Sequence, residues 1–80
     1  MTVNTAISLR VKELLAEQGI SQYRLEINSE IPHSRMDFVI KNRIKTCTFK
    51  TVCQLAKGFG MSLVQFLDSP HFNLENLDLE

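Results

Sequence analysis

Eighty residues, 44% hydrophobic and 22% charged, suffice for one small domain that needs no metal or disulfide to hold its core, and the mix argues against a disordered chain. The apolar runs are short and broken by charge, so no membrane span is expected. The Met-Thr-Val-Asn-Thr-Ala start has neither a basic region nor a long apolar run, so it does not read as a signal peptide, and the expected location is cytoplasmic.

Nine Lys and Arg balance nine Asp and Glu, a sum that does not favour a polyanion partner. The distribution is more informative. Arg35, Lys41, Arg43, Lys45 and Lys50 face a single acid, Asp37, between positions 35 and 50, whereas Asp68, Glu75, Asp78 and Glu80 follow with no Lys or Arg. A basic centre and an acidic tail point to a polyanion-facing surface, against the plainer reading of solvated charge. Cys47 and Cys53 stand six apart without a CxxC pattern, and His33 and His71 are far off in sequence. Free thiols with no metal or cofactor are therefore expected.

Taken in chain order, residues 1–5 read as a frayed leader with Thr5 as the first helix cap. The first helix, about 6–18, carries Ile7, Val11, Leu14 and Leu15 as one amphipathic stripe, with Arg10, Lys12, Glu13 and Glu17 mostly off it. Gly19 suits the left-handed turn that stops it. Ser21 caps a second helix, about 21–28, that turns Leu25 inward. Glu26 stands where a small residue is expected if two helices touch closely, so either the helices are further apart or Glu26 snorkels. Ser29-Glu30-Ile31-Pro32 is a turn, because Pro32 disfavours helical backbone at Ile31 and suits the start of a helix.

The third helix, about 33–41, buries Met36 and Val39, and Asn42 stops it in a left-handed conformation. Positions 43–47 form a basic loop. Thr48 caps a fourth helix, about 49–58, with Phe49, Val52, Cys53 and Ala56 on one side and Leu55 and Phe59 adjoining; Gly60 ends it. Ser62-Leu-Val-Gln65 is a capping-box pattern with Met61 and Phe66 placed for a hydrophobic staple, starting a fifth helix at about 63–68. No segment alternates like a strand, so the fold class is all-α. Residues 1–69 form the domain. The tail, 70–80, is either an ordered terminus packing Phe72 or a segment for a dimer or other partner, because Leu74, Leu77 and Leu79 are costly to expose.

The stretch from Ser21 to Arg43 organises the rest: two short helices locked through Leu25, Ile31, Met36 and Val39, with polar residues left outward at the start of the second. That arrangement is how a helix-turn-helix offers side chains to the major groove. Ser21-Gln22-x-x-Leu25, Ile31-x-x-Ser34-x-Met36-x-x-Val39 and Leu55-Ala56-x-x-Phe59-Gly60-Met61-Ser62-Leu63-x-x-Phe66-Leu67 together resemble the Cro/C1-type (XRE-like) helix-turn-helix family over about residues 6–68. The resemblance implies a compact five-helix, lambda-repressor-like DNA-binding domain that works as a homodimer on near-palindromic double-stranded operators. It further implies that Gln22 contacts a phosphate and braces the recognition helix. His33, Ser34, Asp37 and Phe38 then read base edges, and Asn42 to Lys45 meet phosphate. Glu26 departs from the family's usual alanine, and Glu30 and Asn42 from its usual glycines.

From the residues themselves, His33 and Ser34 suit purine edges or a phosphate, against the plainer reading of polar residues at a helix start. Arg35, Lys41, Arg43 and Lys45 suit phosphates, against that of a solvated basic loop. Asp37 either accepts from cytosine or pairs with Arg35 or Lys41. Phe38 either meets thymine methyls or rolls into the core, with the core favoured. No His–Cys pair, carboxylate cluster, glycine-rich phosphate loop or HExxH helix points to catalysis, so an enzyme is not expected. The expected function is a sequence-specific, repressor-like transcriptional regulator. The alternative is a protein-interaction module of the same fold, such as an antitoxin or adaptor, with weak or no DNA binding.

Overall fold

The computed structural model describes residues 1–79. It holds five α-helices, α1 (Val3–Gln18), α2 (Gln22–Ser29), α3 (His33–Ile40), α4 (Phe49–Gly58) and α5 (Leu63–Leu67), then 3-10 turns at Pro70–Phe72 and Leu74–Asn76. Among the described residues there is no strand, only a single parallel bridge between Thr2 and Asp78. None of these helices is long and apolar enough to cross a membrane.

The helices start where a hydroxyl can bond a free amide. Thr2, Ser21, Thr48 and Ser62 each accept from the backbone N–H three residues on, and Gln65 returns the bond to Ser62 to complete a capping box. Helix α3 lacks this device and starts behind Pro32, whose side chain caps nothing. The stops follow backbone handedness: Gly19 and Gly60 take positive φ, and so do Asn42 and Glu30.

The first turn differs from expectation. Thr2, not Thr5, is the cap, and α1 begins at Val3, so the leader is helical rather than frayed. Tertiary contacts override the weak local propensity of Val3 and Thr5. The Met1 amine donates to the Asn76 carbonyl and the Asp78 amide to the Met1 carbonyl, each at 2.8 Å.

The core unites Ile7, Val11 and Leu14 of α1, Leu25 of α2 and Ile31 of the turn with Met36 and Val39 of α3. Val52, Leu55, Ala56 and Phe59 at α4, with Phe66 of α5, close it. Helix α2 packs mainly on α4, and α1 on α3. Met61 and Phe66 both pack here, as the staple predicts.

Three side chains depart from their expected places. Phe49 is exposed, because the inner face of α4 is centred on the buried row Thr51, Leu55 and Gly58, which lies on the other side of the helix from Phe49. Cys53 is half-buried at the edge of that face. Arg10 is buried: its guanidinium donates to the carbonyl oxygens of Phe66 at 2.7 Å and Gln65 at 2.9 Å, and to Glu13 at 2.6 Å. It thereby satisfies the Phe66 carbonyl at the end of this short helix and adds a second donor to the Gln65 carbonyl, which also accepts from the Asp68 amide.

The tail returns to the body. The Phe72 ring lies 6.2 Å from Phe66, and His71 Nε2 lies 3.1 Å from Glu13 of α1. Leu74 and Leu79 remain exposed.

Candidate functional site

The site grows from the turn between α2 and α3. The Ser29 hydroxyl bonds back to the Leu25 carbonyl at 2.6 Å, Glu30 turns the chain through φ 59°, and Ile31 drops into the core. With Ile31 anchored, Met36 and Val39 fix the inward side of α3. Its other side is thereby set outward: His33, Ser34, Arg35 and Phe38 are all exposed. Phe38 is 51% exposed, so it presents its ring to solvent instead of rolling into the core. The physical reason is spacing, because Met36 and Val39 already fill the stripe and Phe38 lies about 100° away from Val39.

Glu26 resolves its own anomaly by bonding. Its carboxylate accepts from the Gln22 carboxamide at 3.0 Å and lies 2.8 Å from His33 Nδ1, so one half-buried group ties the first turn of α2 to the first residue of α3. Burial works to raise its pKa, but the hydrogen bonds from His33 and Gln22 outweigh burial and hold it below the ordinary carboxylate value. Asp37 pairs with Lys41 at 2.9 Å, one turn further along α3. The Lys41 hydrogen bond is the main cause that lowers its pKa, against burial. Both carboxylates beside the outward face therefore stay charged and occupied.

Beyond α3, the loop is held down by the first turns of α1. The Asn4 carboxamide donates to the carbonyls of Ile44 and Lys45, both at 3.0 Å. Asn42, at φ 56°, donates to the Thr5 hydroxyl at 2.9 Å, and the buried Ser8 hydroxyl donates to the Ile40 carbonyl at 3.0 Å. Backbone atoms of the loop face inward to these partners, which leaves Arg43 and Lys45 exposed. Arg35, Arg43 and Lys45 make no ion pair among the described residues.

A groove runs between these parts, lined by Ser34, Arg35, Phe38, Ile44, Thr46, Thr48 and Thr51. It joins the outward face of α3, the loop and the start of α4. Cys47 lies beside it; burial pushes its thiol pKa up, against a smaller pull from the Arg35 charge. Cys47 and Cys53 are both free.

The structure thus brings His33, Ser34, Arg35 and Phe38 onto one exposed face, with Arg43 and Lys45 on the adjoining loop. It sets Gln22, Asp37 and Lys41 into intramolecular bonds at the edge, and gives the Asn42 side chain to Thr5. Four supporting residues had no assigned role from sequence: Asn4, Thr5 as a loop anchor, Ser8, and Glu26 as a bridge. The polar run at the start of α1 was a signal that something bonds there. No spacing rule names a partner 41 residues away. No family model matches the chain, and neither a curated protein nor a solved structure matches it.

Proposed function

We propose that the protein is a sequence-specific DNA-binding regulator of transcription, repressor-like, with a lambda-repressor-like helix-turn-helix of the Cro/C1 type. The observation that carries this reading is the exposed face of α3, with Ser34, Arg35 and Phe38 bordering one groove with a pinned loop whose cations Arg43 and Lys45 are unpaired. Helix α3 enters the major groove. Ser34 and His33 then meet base edges, and Phe38 meets a thymine methyl. Arg35, Arg43 and Lys45 bind phosphates and set register without reading sequence. Lys41 adds to the phosphate contacts from its pair with Asp37, and Gln22 supports α3 through Glu26. A homodimer in the cytoplasm repeats this on two half-sites.

Selection of binding sites from random duplex DNA tests the reading. A palindrome with half-sites about one helical turn, roughly 34 Å, apart is expected. Failure to enrich any sequence at low salt overturns it. The second reading, a protein-interaction module, is favoured by the exposed Val64, Leu74 and Leu79 near the acidic end of the chain, and is what that failure would leave standing.

A further inference from the structure

His33 is exposed, yet one of its ring nitrogens is committed. Nδ1 lies 2.8 Å from Glu26 Oε2, and Nε2 has no partner among the described residues. An ionised carboxylate only accepts, so Nδ1 carries the proton in this bond. Glu26 is held in place in turn by Gln22 and by the burial of its side chain, which is 11% exposed. The ionisable groups that act on the ring are Glu26 from α2 and Asp37 from its own helix, and Asp37 is engaged by Lys41. Both carboxylates are held below their ordinary values and remain charged in mild acid.

We infer that Glu26 is a positioning residue that decides which hydrogen-bonding role His33 offers to a base, an inference that rests on the DNA-binding reading above. With Nδ1–H fixed on Glu26, the neutral ring presents Nε2 as an acceptor only. Gaining a proton turns the same atom, in the same place, into a donor. Guanine offers only acceptors in the major groove and cytosine only a donor amino group. The neutral ring therefore accepts from the amino group of cytosine or adenine and excludes guanine, whereas the protonated ring donates to guanine and excludes cytosine. One position of each half-site changes its preferred base with pH while the rest of the operator stays fixed.

Without Glu26 the ring has no such constraint. Neutral imidazole then carries its proton on either nitrogen, and Nε2 serves as donor or acceptor at will. Glu26→Gln retains shape but can donate as well as accept, so it removes the constraint with little change in packing.

Site selection with the native chain at about pH 5 and about pH 8, on either side of the range in which imidazoles exchange their proton, tests this. The expected result is one palindrome with the guanine-to-cytosine ratio inverted at a single position per half-site, guanine favoured in acid and cytosine in base, by about three- to tenfold. Glu26→Gln is expected to abolish the inversion, and His33→Ala to abolish all preference at that position alone. An unchanged guanine-to-cytosine ratio at every position at both pH values overturns the inference and leaves the DNA-binding reading intact. No enrichment at either pH overturns both. The ring nitrogens of His33 in the free protein give a measurement independent of DNA. Long-range 15N–1H correlation at about pH 8 is expected to show the proton on Nδ1 in the native chain, and on both nitrogens in Glu26→Gln. A native ring protonated on Nε2 overturns the inference.

Discussion

Gly58 of α4 lies against Ser29 of α2 so closely that a Cβ on Gly58 would stand 2.8 Å from the Ser29 Cβ, and equally 2.8 Å from the Leu25 Cδ1. Glycine inside a helix is unfavourable by about 1 kcal/mol relative to alanine, so this position trades helix propensity for contact between α2 and α4. Gly58→Ala recovers that propensity and overpacks the contact, which costs about 1–3 kcal/mol. Net destabilisation of about 1 kcal/mol is expected, read as a lower urea midpoint at unchanged m-value. A rise in the midpoint would show that α2 and α4 separate freely.

Glu30 is a second backbone compromise. Its φ of 59° places an L side chain in left-handed backbone, and its contact with Lys57 at 3.9 Å is exposed and weak. Glu30→Gly is expected to stabilise the domain by about 0.5–1 kcal/mol, raising Tm by roughly 4 °C. Calorimetry on the two chains decides it.

Arg10 joins α1 to the end of α5 through two bonds from one guanidinium, whose third bond goes to Glu13 on its own helix. Arg10→Met leaves the Gln65 and Phe66 carbonyls without these donors, at a cost of about 2–3 kcal/mol. Arg10→Lys keeps the charge but not the fork, and is expected to recover only part of the loss. Equal stability of Arg10→Lys and the native chain in denaturant titration would contradict this.

Glu13 links that arginine to His71. The Arg10 hydrogen bond is the main cause holding the Glu13 carboxyl below the value of 4.5; burial opposes it and His71 adds to it. A carboxyl depressed in the folded state stabilises the fold while it is ionised. Its contribution is present above pH 4.5 and is lost as pH falls from there through the lower folded value. The Tm gap between the native chain and Glu13→Gln is therefore expected to close as pH falls below 4.5. A gap that widens below pH 4.5 would reverse the sign.

On the proposed DNA face, Lys45 and Asn4 separate charge from geometry. Lys45→Ala removes a phosphate contact, weakens binding to all duplexes alike and lowers the slope of log K against log salt by about 0.9. Asn4→Ala removes no cation but frees the loop carbonyls it holds at 3.0 Å. It is expected to weaken binding with the salt slope unchanged. Phe38→Ala leaves the slope unchanged as well, and relaxes preference at one base position by about 1 kcal/mol. Titrations at several salt concentrations distinguish the three.

Sequence alone determined what depends on residues close together in the chain. Ser21, Thr48 and Ser62 cap their helices, and Gly19, Asn42 and Gly60 end them, because capping needs only a hydroxyl or a permissive backbone within a few residues. The inward stripe of Leu25, Ile31, Met36 and Val39 was likewise legible, since helical spacing sets which side chains share a face. Tertiary structure decided everything that depends on a partner far along the chain. Thr2 starts α1 ahead of Thr5 because the tail and the loop both bond to that first turn. Arg10 is inside because α5 ends beside it, and Phe38 outside because Met36 and Val39 already fill the inner stripe. Glu26 became a bridge between Gln22 and His33 only when the turn brought α3 back across α2. A charge in isolation reads as a misfit between packed helices, and the two hydrogen bonds that keep it there exist only in the folded chain.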